Sequence, residues 1–232
     1  IPPGFVITAQ AYNYFIEKAG IKEKIKEILD GIDVEDTKGL GDASKKIRAI
    51  FHNVEVPEEV KIDILEAYEI MDADAHSFQQ ANHTALAILR NAREPAFVAV
   101  RSSATTEDLA DASFAGQQET FLNVKGKAQI IDKMKACFSS LFTSRAIYYR
   151  IKKGFGNEKA QLAVVVQKMI DSEKSGVIFS QDPVSKDKSI VIEAVWGLGE
   201  GIVSGMIQPD YYKVGSDLND FKILEIKVAK KK

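Results

Sequence analysis

Residues 97–120 read FVAVRSSATTEDLADASFAGQQET, and this stretch predicts both a strand and an anion site. The apolar run 97–100 is typical of a buried strand, and we expect Arg101 to leave its end into small polar residues that begin with Ser102. An arginine stays charged at any working pH and offers several donors in a planar fork. Hydroxyl groups and the backbone amides of small residues can close around phosphate oxygens. The stretch therefore predicts a local phosphate-binding site.

Composition indicates a globular chain without a broad basic surface. The 232 residues are 45% hydrophobic and 28% charged, which suits one large core or two smaller ones. The 31 Lys and Arg residues against 33 Asp and Glu residues give a net charge of −2, so we expect neither nucleic acid nor a membrane as a partner. The sequence shows no apolar run of transmembrane length and no secretory signal at its start.

Two further features concern the compartment and the extent of the chain. The single cysteine, Cys137, cannot form an internal disulfide, which fits a reducing cytoplasm. The first residue is Ile1 rather than Met, so we expect a piece excised from something longer.

The first part of the chain has the periodicity of helices. Thr8 is placed to cap a helix whose apolar residues share one face and which ends near Gly20. The same pattern recurs over 21–29, a short helix is expected to end at Phe51, and Pro57 opens a longer helical region. Residues 72–91 also have the pattern of a helix.

The character of the sequence changes at Pro95, where strand patterns begin. Strands are predicted at 97–102 and 119–124, followed by one long helix over 128–152. Five more strands are predicted, at 162–170, 176–180, 189–195, 211–214 and 223–228. The expected fold class is therefore α+β with two β regions.

These and other motifs, in order along nearly the whole chain, carry a resemblance to a known family. They are the opening IPPGFVIT, VRSSAT at 100–105, ASFAGQQ at 112–118, SRA at 144–146, QKMI at 167–170, SGVIFS at 175–180 and EAVWGLGE at 193–200. The chain resembles the nucleotide-binding domain of the phosphoenolpyruvate synthase and pyruvate phosphate dikinase family. The resemblance implies an ATP-grasp-like fold, with nucleotide held between two lobes and a helical region at the N-terminus.

The resemblance also implies a division of the chain and a chemistry. The expected parts are a helical region at 1–95, a first α+β lobe with the phosphate-binding loop at 96–158, and a second β-rich lobe at 159–232. In this family ATP, with Mg²⁺, phosphorylates a histidine on a separate domain, which carries phosphate to pyruvate bound on a further domain. The products are phosphoenolpyruvate, AMP and phosphate. The implied partners are thus ATP and the phosphohistidine and pyruvate-binding domains.

The resemblance assigns roles to eleven residues of this sequence. Arg101 corresponds to the arginine that contacts the ATP phosphates and is the expected catalytic residue, with Ser102 beside it. Phosphoryl transfer depends on neutralising and positioning charge, which suits a cation beneath a closing loop. The loop is assigned to Ala115, Gly116, Gln117 and Gln118, the adenine site to Gln167, Lys168, Met169 and Ile170, and a further nucleotide contact to Glu200.

Some family elements do not occur in these 232 residues, and several alternatives stay open. The family's Gly-Gly-Lys loop precedes the position of Ile1, and its acidic strand and Gln-x-Arg element, with the main Mg²⁺ ligands, follow the position of Lys232. None of the three histidines resembles the phosphorylated one, so we expect no turnover by this piece alone. The alternatives are a pyruvate phosphate dikinase, a rifampicin-type phosphotransferase, or a non-catalytic regulatory module on the same scaffold. Residue by residue, Arg101 could instead cap a turn, Gly116 could serve a turn, and Glu200 could be an ordinary loop carboxylate.

Overall fold

A computed structural model describes residues 1–71, 95–104, 108–109, 112–113, 119–154, 160–217 and 220–229. The chain divides into two compact units, Ile1–Met169 and Ile170–Lys232, which are called unit 1 and unit 2 below. Helices and antiparallel sheets both occur, so the α+β fold class is confirmed. The predicted helix at 72–91 and the loop residues Ala115, Gly116, Gln117 and Gln118 lie outside the described residues.

The helices of unit 1 begin and end largely where local chemistry predicts. The Thr8 hydroxyl accepts from the Ala11 amide at 3.3 Å and caps the first helix, and Gly20 takes the left-handed φ of +61° beyond that helix's end. The third helix is longer than the predicted short one because Asp36 caps it early, accepting from the Lys38 amide at 3.1 Å. The helices are α1 (Ala9–Lys18), α2 (Lys22–Asp30), α3 (Thr37–Asn53), α4 (Glu58–Ile70), α5 (Lys127–Ser140) and α6 (Ser144–Lys152).

Helices α5 and α6 correct the prediction of one continuous helix over 128–152. The chain leaves the helical path at 141–143, and the Thr143 hydroxyl accepts from the Ala146 amide at 3.3 Å to start α6. Leu141 and Phe142 are both buried, so the apolar pattern continues across the break and conceals it in the sequence.

Unit 1 contains a four-stranded antiparallel sheet in the order β1-β6-β2-β5. The short strand β1 was not predicted, and it approaches β6 so closely that a Cβ on Gly4 would lie 2.6 Å from the Val166 carbonyl oxygen. A separate pair, β3 and β4, has two residues in each strand. The strands of unit 1 are β1 (Gly4–Ile7), β2 (Val98–Ala104), β3 (Asp108–Leu109), β4 (Ala112–Ser113), β5 (Thr120–Val124) and β6 (Leu162–Lys168).

Strand β2 also departs from prediction, because it runs on through the polar residues. Arg101 lies within the strand, between Val165 of β6 and Thr120 of β5, rather than at its end. Pairing with β6 along the whole of β2 outweighs the low strand preference of the serines. Strand β6 belongs to this sheet too, so the first compact unit ends after it, at Met169. The division of the chain into parts at 1–95, 96–158 and 159–232 stays a prediction.

The core of unit 1 lies between its helices and one face of this sheet. Phe15, Phe51 and Phe138 are fully buried, and the rings of Phe15 and Phe138 lie 5.8 Å apart. From the sheet, alternate residues of β2 and β6 enter this core and are 0% exposed: Val98, Val100, Val164 and Val166. The remaining residues of the two strands therefore project from the opposite face.

Unit 2 is built on a second four-stranded antiparallel sheet, in the order β10-β9-β8-β7. All five strands predicted after residue 160 are found, the first of them as β6 of unit 1 and the other four here. The elements of unit 2 are β7 (Lys174–Phe179), β8 (Ile190–Trp196), the short helix α7 (Glu200–Val203), β9 (Asp210–Asp217) and β10 (Asp220–Lys227). Among the described residues, no helix combines the length and the apolar character needed to cross a membrane.

Candidate functional site

The face of the unit 1 sheet that points away from the helical core is the candidate site. We call it the open face and define it by the register of the four strands. It comprises Val6 of β1, Ala99, Arg101 and Ser103 of β2, Thr120 of β5, and Val165 and Gln167 of β6. Arg101 and Thr120 are exposed, and Ser103, Val165 and Gln167 are half-buried. Val6 is exposed and Ala99 is buried. The open face thus combines small and aliphatic side chains and one amide with a single exposed cation.

Arg101 is the only arginine or lysine among the residues that define the open face. Within the described part of the chain, no hydrogen bond or ion pair engages its guanidinium. Its position mid-strand, with paired strands on both sides, fixes its backbone in the sheet. Its planar fork of donors can therefore be offered to an anion such as phosphate without breaking an existing contact among the described residues.

Ser102 points to the other side, into the protein. Its side chain is 3% exposed, and its hydroxyl donates to the Glu119 carbonyl at 3.2 Å and accepts from the Glu119 amide at 2.9 Å. This geometry commits the hydroxyl to holding the backbone of Glu119. The nucleotide contact assigned to Ser102 stays a prediction.

The segment Gln167–Ile170 lies where β6 ends, and its first three residues are held by backbone contacts. The Gln167 side chain donates to the Pro2 carbonyl at 3.3 Å, and the Lys168 amide donates to the Pro3 carbonyl at 2.9 Å. The Met169 amide donates to the Phe97 carbonyl at 2.8 Å. Gln167 also lies on the open face, so the structure brings it into the same sheet as Arg101.

Ile170 and Glu200 belong to unit 2. Ile170 is 59% exposed, and Glu200 is the exposed first residue of α7. The turn before α7 is fixed by the Gly197 carbonyl, which accepts from the Ser172 and Ser175 hydroxyls at 3.2 and 2.7 Å. Gly197 has a φ of +75°, a conformation that favours glycine.

The structure also shows an ion pair that the sequence did not reveal. The Arg48 guanidinium on α3 lies 2.9 Å from the Glu119 carboxylate, just before β5. The two residues are 71 positions apart, and no local motif joins them. Groups of three or more His, Cys, Asp or Glu side chains able to hold a metal ion are not found among the described residues.

Among the residues that the structure describes, this sheet face carries one cation and is covered by no helix, so it is suited to binding an anionic ligand. Comparison with known proteins identifies the family: residues 1–232 match the one described as pyruvate phosphate dikinase, AMP/ATP-binding domain, and the chain belongs to it. The resemblance inferred from the motifs is thereby confirmed.

Curated relatives carry names that agree with this family. The chain is 46% identical over its whole length to the probable phosphoenolpyruvate synthase of Methanocaldococcus jannaschii, covering 18% of that protein. It is 49% identical to the probable phosphoenolpyruvate synthase of Archaeoglobus fulgidus, covering 28% of it. It is 40% identical over 264 aligned residues to the phosphoenolpyruvate synthase of Pyrococcus furiosus, covering 30% of it. The chain thus spans less than a third of the length of each of these three relatives.

Proposed function

We propose that the open face of unit 1 binds the phosphates of ATP and that Arg101 is the residue that holds them. The observation that carries this proposal is the position of Arg101, an exposed guanidinium on an uncovered sheet face with no acidic partner among the described residues. Membership of a family described as an AMP/ATP-binding domain supports the choice of nucleotide. The fixed cation neutralises charge that phosphoryl transfer moves between oxygens.

The adenine site is proposed at Gln167–Ile170, where backbone groups at a strand end can read a base. The contacts of Lys168 and Met169 with Pro3 and Phe97 support this assignment, because they hold the segment in one conformation. The covering loop at Ala115–Gln118, the nucleotide contact of Glu200 and the ATP-grasp-like arrangement of two lobes are parts of the same proposal. They follow from the family pattern rather than from measured contacts.

The proposed reaction of the whole protein is that of a pyruvate, water dikinase. ATP phosphorylates a histidine on a separate domain, and pyruvate, ATP and water become phosphoenolpyruvate, AMP and phosphate. The names of the three relatives support this choice over a rifampicin-type phosphotransferase. The proposed location is the cytoplasm, which the single free cysteine, Cys137, supports. Mg²⁺ is expected to accompany ATP, but the described residues provide no cluster of acidic ligands for it, and we assign it no protein ligand.

The test is calorimetric titration of ATP and of adenosine into the full native protein that carries this sequence. Arg101→Ala should weaken ATP binding about tenfold or more, because charge-assisted hydrogen bonds contribute about 1.5–3 kcal/mol. Adenosine, which has no phosphates, should bind both forms equally. Lys46→Ala is the matched control, because it removes an exposed cation from α3 instead. Equal ATP binding by wild type and Arg101→Ala would reject the assigned role.

The reaction is tested separately from binding. Incubation of the full protein with ATP and pyruvate should release AMP and phosphoenolpyruvate in equal amounts. Tight ATP binding with no AMP formed would instead favour the non-catalytic module.

A further inference from the structure

The ion pair between Arg48 and Glu119 joins a core helix to the strand beside Arg101. The Arg48 Nη2 and Glu119 Oε1 atoms are 2.9 Å apart, a distance typical of a charge-assisted hydrogen bond. The side chains are 42% and 27% exposed, so water screens the pair only in part. The contact is therefore stronger than that of two fully exposed charges.

Glu119 is in turn fixed to the residue that follows Arg101. Besides the two bonds of the Ser102 hydroxyl, the Ser102 amide donates to the Glu119 carbonyl at 3.0 Å. The next residue, Thr120, is the register partner of Arg101 across the β2 and β5 strands. Glu119 thus holds the β2 backbone directly after the position from which Arg101 projects.

At the other end of the pair, Arg48 is held by the core. Its neighbours Ile47 and Phe51 on α3 are both 0% exposed, and α3 packs against α5 and α6. Close packing restricts how far such a helix can shift. The packed helix α3 therefore fixes Arg48, the ion pair fixes Glu119 against Arg48, and hydrogen bonds join Glu119 to Ser102 of strand β2.

We propose that Arg48 and Glu119 are positioning residues for ATP binding, which act through Ser102 and strand β2 on Arg101. This inference rests on the proposed function of the open face. Neither residue needs to touch the nucleotide. If the ion pair were purely structural, its removal would lower the stability of the protein but leave the affinity for ATP unchanged.

The experiment compares variants of the full native protein by ATP calorimetry and by thermal unfolding. Arg48→Met should raise the ATP dissociation constant about tenfold, because a displaced Arg101 guanidinium makes weaker hydrogen bonds with the phosphates. Arg48→Lys, which keeps the charge, should recover part of the loss. Lys46→Met, which removes an exposed cation from the same helix, should bind ATP like the wild type.

A double-mutant cycle separates the pair from its two members. Glu119→Gln removes the ion pair and its negative charge while leaving the backbone bonds to Ser102 available. If the residues act as a unit, Arg48→Met combined with Glu119→Gln binds ATP no more weakly than Arg48→Met alone. Strictly additive losses of ATP affinity in the double variant would contradict the coupling. If Arg48→Met fails to fold, the ATP affinity of Glu119→Gln alone tests the proposal.

Cys137 supplies a check on local packing. Its Sγ lies 4.0 Å from the Glu119 carbonyl oxygen, and burial followed by the charge of Glu119 raises the pKa of the thiol to about 12. A thiol reagent should therefore label it slowly in the native protein. A variant with weaker ATP binding and unchanged labelling supports positioning.

The outcomes distinguish this inference from the proposed function. If Arg101→Ala weakens ATP binding and Arg48→Met does not, the positioning role is wrong while the open face remains the ATP site. If Arg101→Ala has no effect, both proposals fail, because Arg48 then has no ligand-binding residue to position.

Discussion

The two four-stranded sheets of this protein differ in how their faces are covered. In unit 1, helices α1 and α5 bury four valines of β2 and β6 completely. In unit 2, Val191 is the only buried hydrophobic residue among those described, and the helix that contacts the sheet within this unit, α7, has four residues. Equal numbers of paired strands therefore give unequal cores, because a sheet needs a second layer to bury its side chains.

Unit 2 nevertheless has an apolar sheet face. Ile178, Ile192, Tyr212 and Ile226 form one cross-strand row through all four strands. Ile178 is 68% exposed and Ile226 is 51% exposed, so the ends of this row remain in contact with water. Stability in a folded chain follows buried apolar contacts, so we expect unit 1 to be the more stable part.

The largest predicted effect is the loss of a ring from the core of unit 1. Phe138→Ala should destabilise the protein by about 3–5 kcal/mol, the usual range for a fully buried phenylalanine. Its ring lies 5.1 Å from Tyr12 and 5.8 Å from Phe15, so the cavity is lined by rigid groups that cannot easily collapse. Urea unfolding followed by helical circular dichroism measures the change, because helices α1 to α6 are all in unit 1.

The matched control for that prediction lies in unit 2. Phe221 on β10 is 68% exposed, and Phe221→Ala should alter stability by no more than about 0.5 kcal/mol. Because the helical signal reports unit 1, the stability of this variant is measured by amide hydrogen exchange of β7 to β10. A loss there as large as that of Phe138→Ala would mean that the second sheet is covered in solution. The contrast between the two units would then be incorrect.

Regular patterns made much of this fold predictable from sequence. The five strands after residue 160 were found because apolar runs are separated there by polar turns. Strand β1 was missed, since Gly4–Ile7 is short and its pairing partner β6 is more than 150 residues away. The extension of β2 past the predicted end at Ser102 to Ala104 was missed for a similar reason, because pairing with β6 outweighs local preference.

The candidate site, like the fold, was predictable from the sequence only in part. Arg101 could be recognised from a local motif, and the structure places it on an uncovered face. That this face is open could not be read from the sequence, because it depends on which side the helices cover. The Arg48 and Glu119 pair was also beyond sequence reasoning, since its two members are brought together only by the packing of α3.

The second prediction concerns an ion cluster that holds the turn between β7 and β8. The Lys213 ammonium lies 2.7 Å from the Asp182 carboxylate and 2.8 Å from that of Asp187. The pKa of each carboxyl lies well below its usual range, mainly because each carboxylate accepts a hydrogen bond from Lys213. Each carboxylate also accepts backbone amides of its own turn, including that of Ser189 at 2.8 Å from Asp187.

The direction of the pH effect follows from these lowered pKa values. The unfolded chain binds protons to Asp182 and Asp187 near pH 4, whereas the folded protein resists them. The stabilisation is therefore complete above about pH 5 and is lost as the pH falls through 4 toward the lower folded values. The pKa of Lys213 is raised by the same contacts, so its contribution is lost only as the pH rises above about 10.

Amide hydrogen exchange of Asp182 and of residues 184–189 at pH 7, 5 and 3 measures this effect. Protection, corrected for intrinsic exchange, should fall between pH 5 and 3, and Lys213→Met should lower it already at pH 7. Lys222→Met removes an exposed cation from β10 and should change nothing. Unchanged protection in Lys213→Met would mean that the turn is held by its backbone bonds alone. The effect on overall stability should be smaller than that of Phe138→Ala, because water screens part of the cluster.

The smallest predicted effect tests whether the helix ends or the core make unit 1 stable. Thr8→Ala removes the hydroxyl that accepts from the Ala11 amide and should cost about 1 kcal/mol of unfolding free energy. Thr8→Ser retains an acceptor and should remain close to wild type in the same urea experiment. If Thr8→Ala lowers the unfolding free energy as much as Phe138→Ala does, unit 1 owes its greater stability to the fixing of α1 against the sheet rather than to apolar burial. A loss of about 1 kcal/mol, by contrast, assigns that advantage to the packed aromatic core, since every native contact of Tyr12 and Phe15 is still available in the variant.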